Sequence, residues 1–561
     1  MDQEWVLREK GFDADTNRAI EGLFTQGSGY LHLRGSLEEH LSDAPQDEEY
    51  LRMPANVTAE KFRSNKAKWG TYVPGVYGKH PLLNNEIINL PSFVSLVPYV
   101  DGERLDLERC EVASHERALD LRTGVLRRSL VWKTGSGKRI EVRFERFISA
   151  SRRSLTMARM TVASDQPASL EVHAGIDGAV RTNGYDHFAT LEPWAGEEKA
   201  IGIDLATDAG DRVRMRSQLF SAPGEVRVAL GGRGVWLVCS APMEPGVSLS
   251  LEKRTAVETS RDRVRKPVEE ALEEAQPRTF DELLAEHEEV WARRWRNSDV
   301  VLDGDPESQR AMRVSIYHLL RAHVGGDERV AIDAKGYAGE AYWGRFFWDT
   351  EMYLLPFYAA TDPERAATLV GFRIQSLDGA RQNAARYGYS GARYAWESDP
   401  AGLECCPNWQ YADHEVHVSA DVVYGLSYFE KSVGDEEFLE SKAADVVLET
   451  ARYWMERIDS HPSTGRPSLL GVMGPDEYKP ITNNNLFTNM MVADALERAA
   501  EVGTRRGDPA AELFGKAAQG LPLPRRNDGL YLQCDGFEEF ADPQFDRLWK
   551  DRGQPFAAQV S

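Results

Sequence analysis

The sequence is poor in cysteine. Its 561 residues hold five, Cys110, Cys239, Cys405, Cys406 and Cys534, and none forms a C-x-x-C pair. That spacing excludes a zinc knuckle or a dithiol redox motif, and the odd, scattered set argues against a disulfide framework. It favours a reducing compartment. Long apolar runs are missing too: none approaches the ~20 residues a membrane helix needs. The opening Met1-Asp2-Gln3-Glu4 has neither a basic nor an apolar region, so no signal peptide is expected and the predicted location is cytoplasmic. Positive charge is in deficit, with 67 Lys and Arg against 89 Asp and Glu, a net charge of -22. Such a chain repels phosphate backbones, which disfavours nucleic acid as a partner. No H-E-x-x-H occurs. Thr134-Gly135-Ser136-Gly137-Lys138 lacks the first glycine and the final Ser/Thr of a phosphate loop and reads as a hairpin turn, as does Gly231–Gly234. His414 and His417 are three apart on an expected helix, but with no further ligand in view they read as packing or hydrogen-bonding residues and no metal is expected.

What is present is ample apolar material, 42% of residues, in a length that suggests about two to four domains. The first half alternates apolar and polar residues, as at Ile140, Val142 and Phe144 or Leu170, Val172, Ala174 and Ile176. Period two with glycine-rich turns predicts strands of a large β-sandwich over residues 1–276. A helical linker is expected over 277–304. There Thr279 and Glu282 have capping-box spacing, and Leu283, Leu284, His287, Val290, Trp291 and Trp295 recur at helical period. From 305 to 561 the periodicity is helical. Asp305-Pro306 and Asp362-Pro363 open helices, the second running to near Gly388, and further helices are predicted over about 413–433, 435–458, 488–503 and 508–519. The class is therefore α+β and multidomain.

Long loops interrupt the helical half, and three share one chemical character: Tyr342 to Glu351, Tyr394 to Glu404, and Gly474 to Asn485. Each sets carboxylates beside aromatic rings. A sugar ring has apolar C–H faces and a rim of hydroxyls, which such residues cover and bind. Cleaving a glycosidic bond also needs an acid for the leaving oxygen, and a carboxyl against aromatic walls keeps its proton near neutral pH. Taken singly, Trp348 and Trp396 fit a core equally well. Asp349, Asp435 and Asp476 fit helix N-caps, and Glu351 and Glu404 fit surface or salt-bridged positions. Spacing does not say which of Asp349, Glu397 or Glu477 would donate a proton.

At these loops the sequence resembles glycoside hydrolase family 65, which holds maltose, kojibiose and trehalose phosphorylases and a few hydrolases. The resemblance rests on Phe347-Trp348-Asp349-Thr350-Glu351, Trp396-Glu397-Ser398 and Gly474-Pro475-Asp476-Glu477-Tyr478. Earlier come Leu23 to Gly35 and Asn89-Leu90-Pro91. It implies an N-terminal β-sandwich, a helical linker and an (α/α)6 barrel, incomplete here because the family's phosphate-binding Lys-Gln segment would begin after Ser561. It implies Glu477 as general acid, with Trp348, Asp349, Trp396 and Glu397 around the non-reducing glucose and Glu404 nearer the leaving group. Ser28, Arg345, Ala395, Lys479 and Thr482 depart from the family pattern at positions expected near the pocket. The activity implied is an inverting phosphorolysis of a small-molecule α-glucoside, with inorganic phosphate as co-substrate, no cofactor, and a homodimer as one expectation. The alternatives are an α-glucosidase on the same scaffold, since Ala395 to Ser398 and Glu404 to Pro407 also resemble the family's glucosidase for glucosylated hydroxylysine, and an inactive fragment or sugar-binding protein.

Overall fold

A computed structural model describes residues 3–541 apart from 43, 45, 47–65, 81–83, 197–198, 265, 478 and 480, together with residue 544. The first half is a sandwich of two antiparallel sheets. In the nine-stranded sheet Val6–Lys10 lies at one edge, followed by Glu111–Asp120, Val125–Lys133, Arg139–Ile148, Leu155–Ser164, Leu249–Thr259, Arg212–Ser221, Ala200–Thr207 and Phe188–Ala195. The five-stranded sheet runs Glu225–Gly231, Gly234–Met243, Ala168–Asp177, Leu96–Val100, Glu103–Arg104. The alternating residues read from the sequence face one another across the sheets: Trp132, Ile140 and Val142 from the larger pack with Val172, Ala174, Ile176 and Leu237 from the smaller. Both glycine-rich segments are hairpin turns. Thr134 N donates to Lys138 O and Gly137 takes φ 87° between paired strands, and Gly232 takes φ 53° in the other. Lys253 is buried in this core, and its ammonium donates to Ser95 O (2.9 Å) and Gly175 O (3.0 Å), tying sheet to sheet.

The linker helix Phe280–Arg296 has the capping box in both directions: Glu282 N donates to Thr279 Oγ1 and Thr279 N to the Glu282 carboxylate. Its apolar stripe serves two neighbours. Phe280 and Leu283 pack on Phe147, Leu155 and Met157 of the sandwich. Trp291 and Trp295 join Ile316, Tyr317 and Leu320 of the next helix, with Trp291 and Tyr317 stacked at 5.2 Å. His287 is locked between two strand connections: Nδ1 accepts from Ala150 N (3.0 Å) and Nε2 donates to Thr123 O. That fixes the neutral tautomer, and burial pushes the imidazole down to about 3.

The helical half opens with Pro306–Ala322, capped by Asp305, whose side chain accepts from Glu307 N and Ser308 N. Pro363–Gln375, Leu377–Arg386, Val418–Val433, Ala444–Arg457, Leu486–Arg506 and Ala511–Gly520 follow and share one core, which includes Leu369, Val422, Val447, Leu496 and Phe514. Three of the expected helices are broken, the one over 435–458 into Phe438–Ser441 and Ala444–Arg457. The first, expected from Asp362 to Gly388, divides at Ser376, where the loop at Gly402 (φ +82°) closes on the helix so tightly that a Cβ there would lie 2.6 Å from Ser376 O. The expected 413–433 helix is instead Trp409–His414 followed by Val418–Val433, with Glu415 at the corner. His414 and His417 are therefore on different elements, which corrects the reading of them as one helix face. No described helix is long and apolar enough to cross a membrane.

Candidate active site

The first aromatic–acid loop is held from the sandwich side. Tyr342 and Trp343 both take left-handed backbone (φ 57° and 53°), a costly conformation for two bulky residues that persists only under outside constraint. The constraint is the hairpin Tyr77–His80 and Asn84–Ile87. Tyr77 OH donates to Gly344 O, and Gly344 sits so close that a Cβ would meet Ile87 Cβ at 2.5 Å. The buried Arg345 guanidinium donates to both the side chain and the carbonyl of Asn85. Beyond it, Phe346 N donates to Ser398 O and Ser398 N to Phe346 O, each at 2.9 Å, which sews the first loop to the second. Thr350–Leu354 then forms a single π-helical turn. Glu351, buried, takes a bidentate pair from Arg373 (2.7 and 2.8 Å), whose Nη2 also donates to Phe347 O (3.0 Å). This carboxylate is committed to holding the loop that carries Trp348.

The second loop is organised by Glu404. Its carboxylate is buried and accepts from Trp396 N (2.7 Å), Glu397 N (3.1 Å) and Cys406 N (3.1 Å), while Asn383 Oδ1 accepts from its backbone N–H (3.0 Å). The chain thus folds around the carboxylate, which fixes the backbone beneath Trp396 and Glu397. Gly379 lets the loop settle on its helix, since a Cβ there would lie 2.2 Å from Ala401 O. The third loop is pinned to the corner at Glu415: Met473 N donates to His414 O (2.9 Å), and His414 Nδ1 donates to Gly471 O (2.7 Å).

Between these loops the rings converge. Trp348 meets His417 edge-on at 4.9 Å, Trp396 meets the same imidazole at 6.0 Å, and Phe487 closes on both Trp348 (5.8 Å) and His417 (5.3 Å). Glu397 lies here with Oε2 buried and unpartnered. Burial pushes its carboxyl up to about 8; the Cys406 thiol and Arg345 oppose this, while Glu404 and Glu477 add to it. Glu415 is pushed up to about 7 by burial, with His417 opposing and Glu477 adding. The charge of Glu477 thus adds to the rise of both buried carboxyls. Glu477 itself is exposed on its loop; partial desolvation by nearby protein, then Asp476, raises its carboxyl above the ordinary glutamate range. Asp349 is also exposed. It makes no capping bond and borders a cavity of about 370 Å³ lined by Asp333, Lys335 and Phe347. A larger cavity, about 500 Å³ and lined by Arg8, Arg127 and Arg143, lies on the outer face of the nine-stranded sheet and contains none of the aromatic–acid residues.

Residues 7–294 match the glycosyl hydrolase family 65 N-terminal domain, and residues 313–556 match the glycosyl hydrolase family 65 central catalytic domain. The chain belongs to glycosyl hydrolase family 65. It is 28% identical over 586 residues to a kojibiose phosphorylase of Halothermothrix orenii, covering 97% of this chain and 72% of that one. It is 30% identical over 557 residues to an alpha,alpha-trehalose phosphorylase of Thermoanaerobacter brockii, covering 93% and 69%. A solved structure described as a candidate kojibiose phosphorylase from the human microbiome superimposes with a TM-score of 0.87 at 22% identity, over 100% of this chain and 75% of that one, and so shares the fold.

Set against this family frame, the sequence departures do not all fall at the pocket. Ser28 is buried in the sandwich, its hydroxyl donating to Arg153 O (2.7 Å). Thr482 donates to Val472 O (2.8 Å) within its own loop, and Lys479 lies over the Phe540 ring. Arg345 reaches the site through the loop it anchors and its charge on Glu397, and Ala395 lies buried in the second loop beside Trp396. Glu415 was not singled out by sequence reasoning, because its neighbours Asp413 and His414 look like an ordinary polar helix end.

Proposed function

We propose that this chain binds and activates the α-glucosyl unit of a disaccharide for inverting phosphorolysis, giving β-glucose 1-phosphate and a free sugar. The observation that carries this is the meeting of Trp348 and Trp396 with a buried, unpartnered Glu397 oxygen, inside the range of Glu477's charge. The rings supply apolar faces for the sugar, and the orphaned carboxyl oxygen accepts from a hydroxyl. Asp349, from the adjacent turn, contributes a further acceptor. Glu404 belongs to the backbone beneath them. Glu477 is the general acid: the crowding that raises its carboxyl keeps a larger share protonated, and its loop position leaves it open to an incoming glycosidic oxygen.

As the bond from the anomeric carbon to the leaving oxygen breaks, Glu477 delivers its proton to that oxygen. Hydrogen phosphate forms the new C–O bond from the opposite face and releases its own proton, which restores Glu477. Phosphate arrives as an anion, so this route needs no protein base to activate it. The likeness to phosphorylases of two different disaccharides supports the reaction class and leaves the acceptor sugar to be found by assay. The test is Glu477→Gln in the protein that carries this chain. Loss of several orders of magnitude in turnover of kojibiose or trehalose is expected, with glucose binding retained. Turnover like that of the unaltered protein would place the acid elsewhere.

A further inference from the structure

Glu415 is a carboxylate with almost no business in its surroundings unless something else arrives. It is 2% exposed, and neither of its side-chain oxygens has a hydrogen-bond partner among the described residues. Its nearest ionic neighbour, His417 Nε2, lies at 3.7 Å, longer than a hydrogen bond, and that nitrogen is itself unpartnered. On its other side the imidazole is firmly placed: Nδ1 donates to Asp421 Oδ2 at 2.6 Å, one turn into the helix Val418–Val433. Burial disfavours the imidazolium, but Asp421 and Glu415 outweigh it and raise His417 to about 9. The result is an imidazole whose Nε2 faces the Glu415 carboxyl at 3.7 Å, too far for a hydrogen bond, so each group keeps polar atoms with no hydrogen-bond partner. Buried polar groups in this state are rare and costly, and in a site they mark where a ligand's polar atoms belong. The same imidazole carries the edges of Trp348 and Trp396, so the orphaned atoms border the proposed sugar platform.

Resting on that sugar-site reading, we propose that Glu415 is a further glucose-binding residue: its carboxylate accepts from ring hydroxyls of glucose lying against Trp348 and Trp396, with His417 Nε2 donating beside it. Once ionised, the carboxyl has only acceptors, which suits a ligand rich in hydroxyl donors, and His417 Nε2–H supplies the complementary donor.

The test is titration of the chain with D-glucose and the monodeoxyglucose series, followed by tryptophan fluorescence, for the unaltered chain, Glu415→Gln and Glu415→Asp. The Asp variant keeps the charge beside His417 and withdraws the oxygens, so it serves if the Gln variant fails to fold. Either substitution is expected to weaken glucose binding by about tenfold or more, as for other hydrogen bonds to a charged group. For one monodeoxyglucose the loss should vanish, because the hydroxyl that Glu415 contacts is already gone. Unchanged glucose binding, or an equal loss for every deoxy sugar, would overturn the assignment while leaving the sugar site standing. Failure of the unaltered chain to bind glucose would remove the sugar-site reading and this one with it. A glucose complex of the unaltered chain provides a check free of variants: a Glu415 carboxylate farther than about 3.5 Å from every glucose hydroxyl overturns the proposal.

Discussion

Replacing Glu404 by glutamine separates two roles that the residue type alone leaves open. In the structure its carboxylate accepts from three backbone donors, Trp396 N, Glu397 N and Cys406 N, at 2.7, 3.1 and 3.1 Å. Glutamine has one acceptor oxygen. Its amide NH2 would then face either the Trp396 N–H or the Glu397–Cys406 pair, donor against donor, leaving at least one buried N–H unsatisfied. That costs about 1–3 kcal/mol, and the loss of charge assistance at the remaining bonds adds to it, so about 3 kcal/mol is a reasonable total. For a cooperative unit of this size the melting temperature should fall by about 5–10 °C. Glucose binding should weaken as well, because the backbone that aims Trp396 and Glu397 relaxes. The assays are thermal denaturation followed by near-ultraviolet circular dichroism, and a glucose titration on the same samples. A melting temperature within a degree of the unaltered protein, with glucose binding abolished, would refute the reasoning and make Glu404 a direct sugar contact.

Three other perturbations follow from the same geometry. Glu351→Ala removes the bidentate partner of a buried Arg373 and should cost about 3–5 kcal/mol by denaturant melts; a change under about 1 kcal/mol would mean the guanidinium is solvated. Glu397→Gln should gain stability relative to the unaltered protein as pH rises from 5 to 8. The folded carboxyl, pushed up to about 8, lies above its unfolded value, so its contribution is full below the unfolded value and is lost as pH rises through the folded one, whereas glutamine has no such loss. Melting curves that stay parallel across that range would show an unshifted carboxyl. Gly379→Ala drives a Cβ to 2.2 Å from Ala401 O, a backbone atom, and should destabilise by about 1–3 kcal/mol in thermal melts, while an unchanged melting temperature would mean the 399–404 loop moves freely.

Much of the frame was legible before any coordinates. Period-two strands at Ile140 to Phe144 and Leu170 to Ile176 fall on the facing sheets, and the Thr279–Glu282 capping box opens the linker helix where its spacing says it should. These are local signals, carried by a few adjacent residues. Helix breaks at Ser376 and Glu415 were not legible, because tertiary contacts impose them: a glycine loop closing on one, and an aromatic cluster with the third loop gathered at the other. The same holds within the site. Composition marked Trp348, Trp396, Glu397 and Glu477 as residues able to handle a sugar. It could not distinguish a carboxylate engaged by backbone amides, as at Glu404, or by an arginine, as at Glu351, from one left bare, as at Glu415. That distinction depends on partners distant in sequence.

The central claim is phosphorolysis at the site built around Trp348, Trp396, Glu397 and Glu477. The most direct measurement incubates the protein carrying this chain with kojibiose, maltose, nigerose and trehalose, with and without inorganic phosphate, and assays β-glucose 1-phosphate and glucose separately. The account predicts that one disaccharide yields equal amounts of β-glucose 1-phosphate and its second sugar, and only when phosphate is present. Free glucose released from both halves of the disaccharide at the same rate without phosphate would contradict it and make the site a hydrolase.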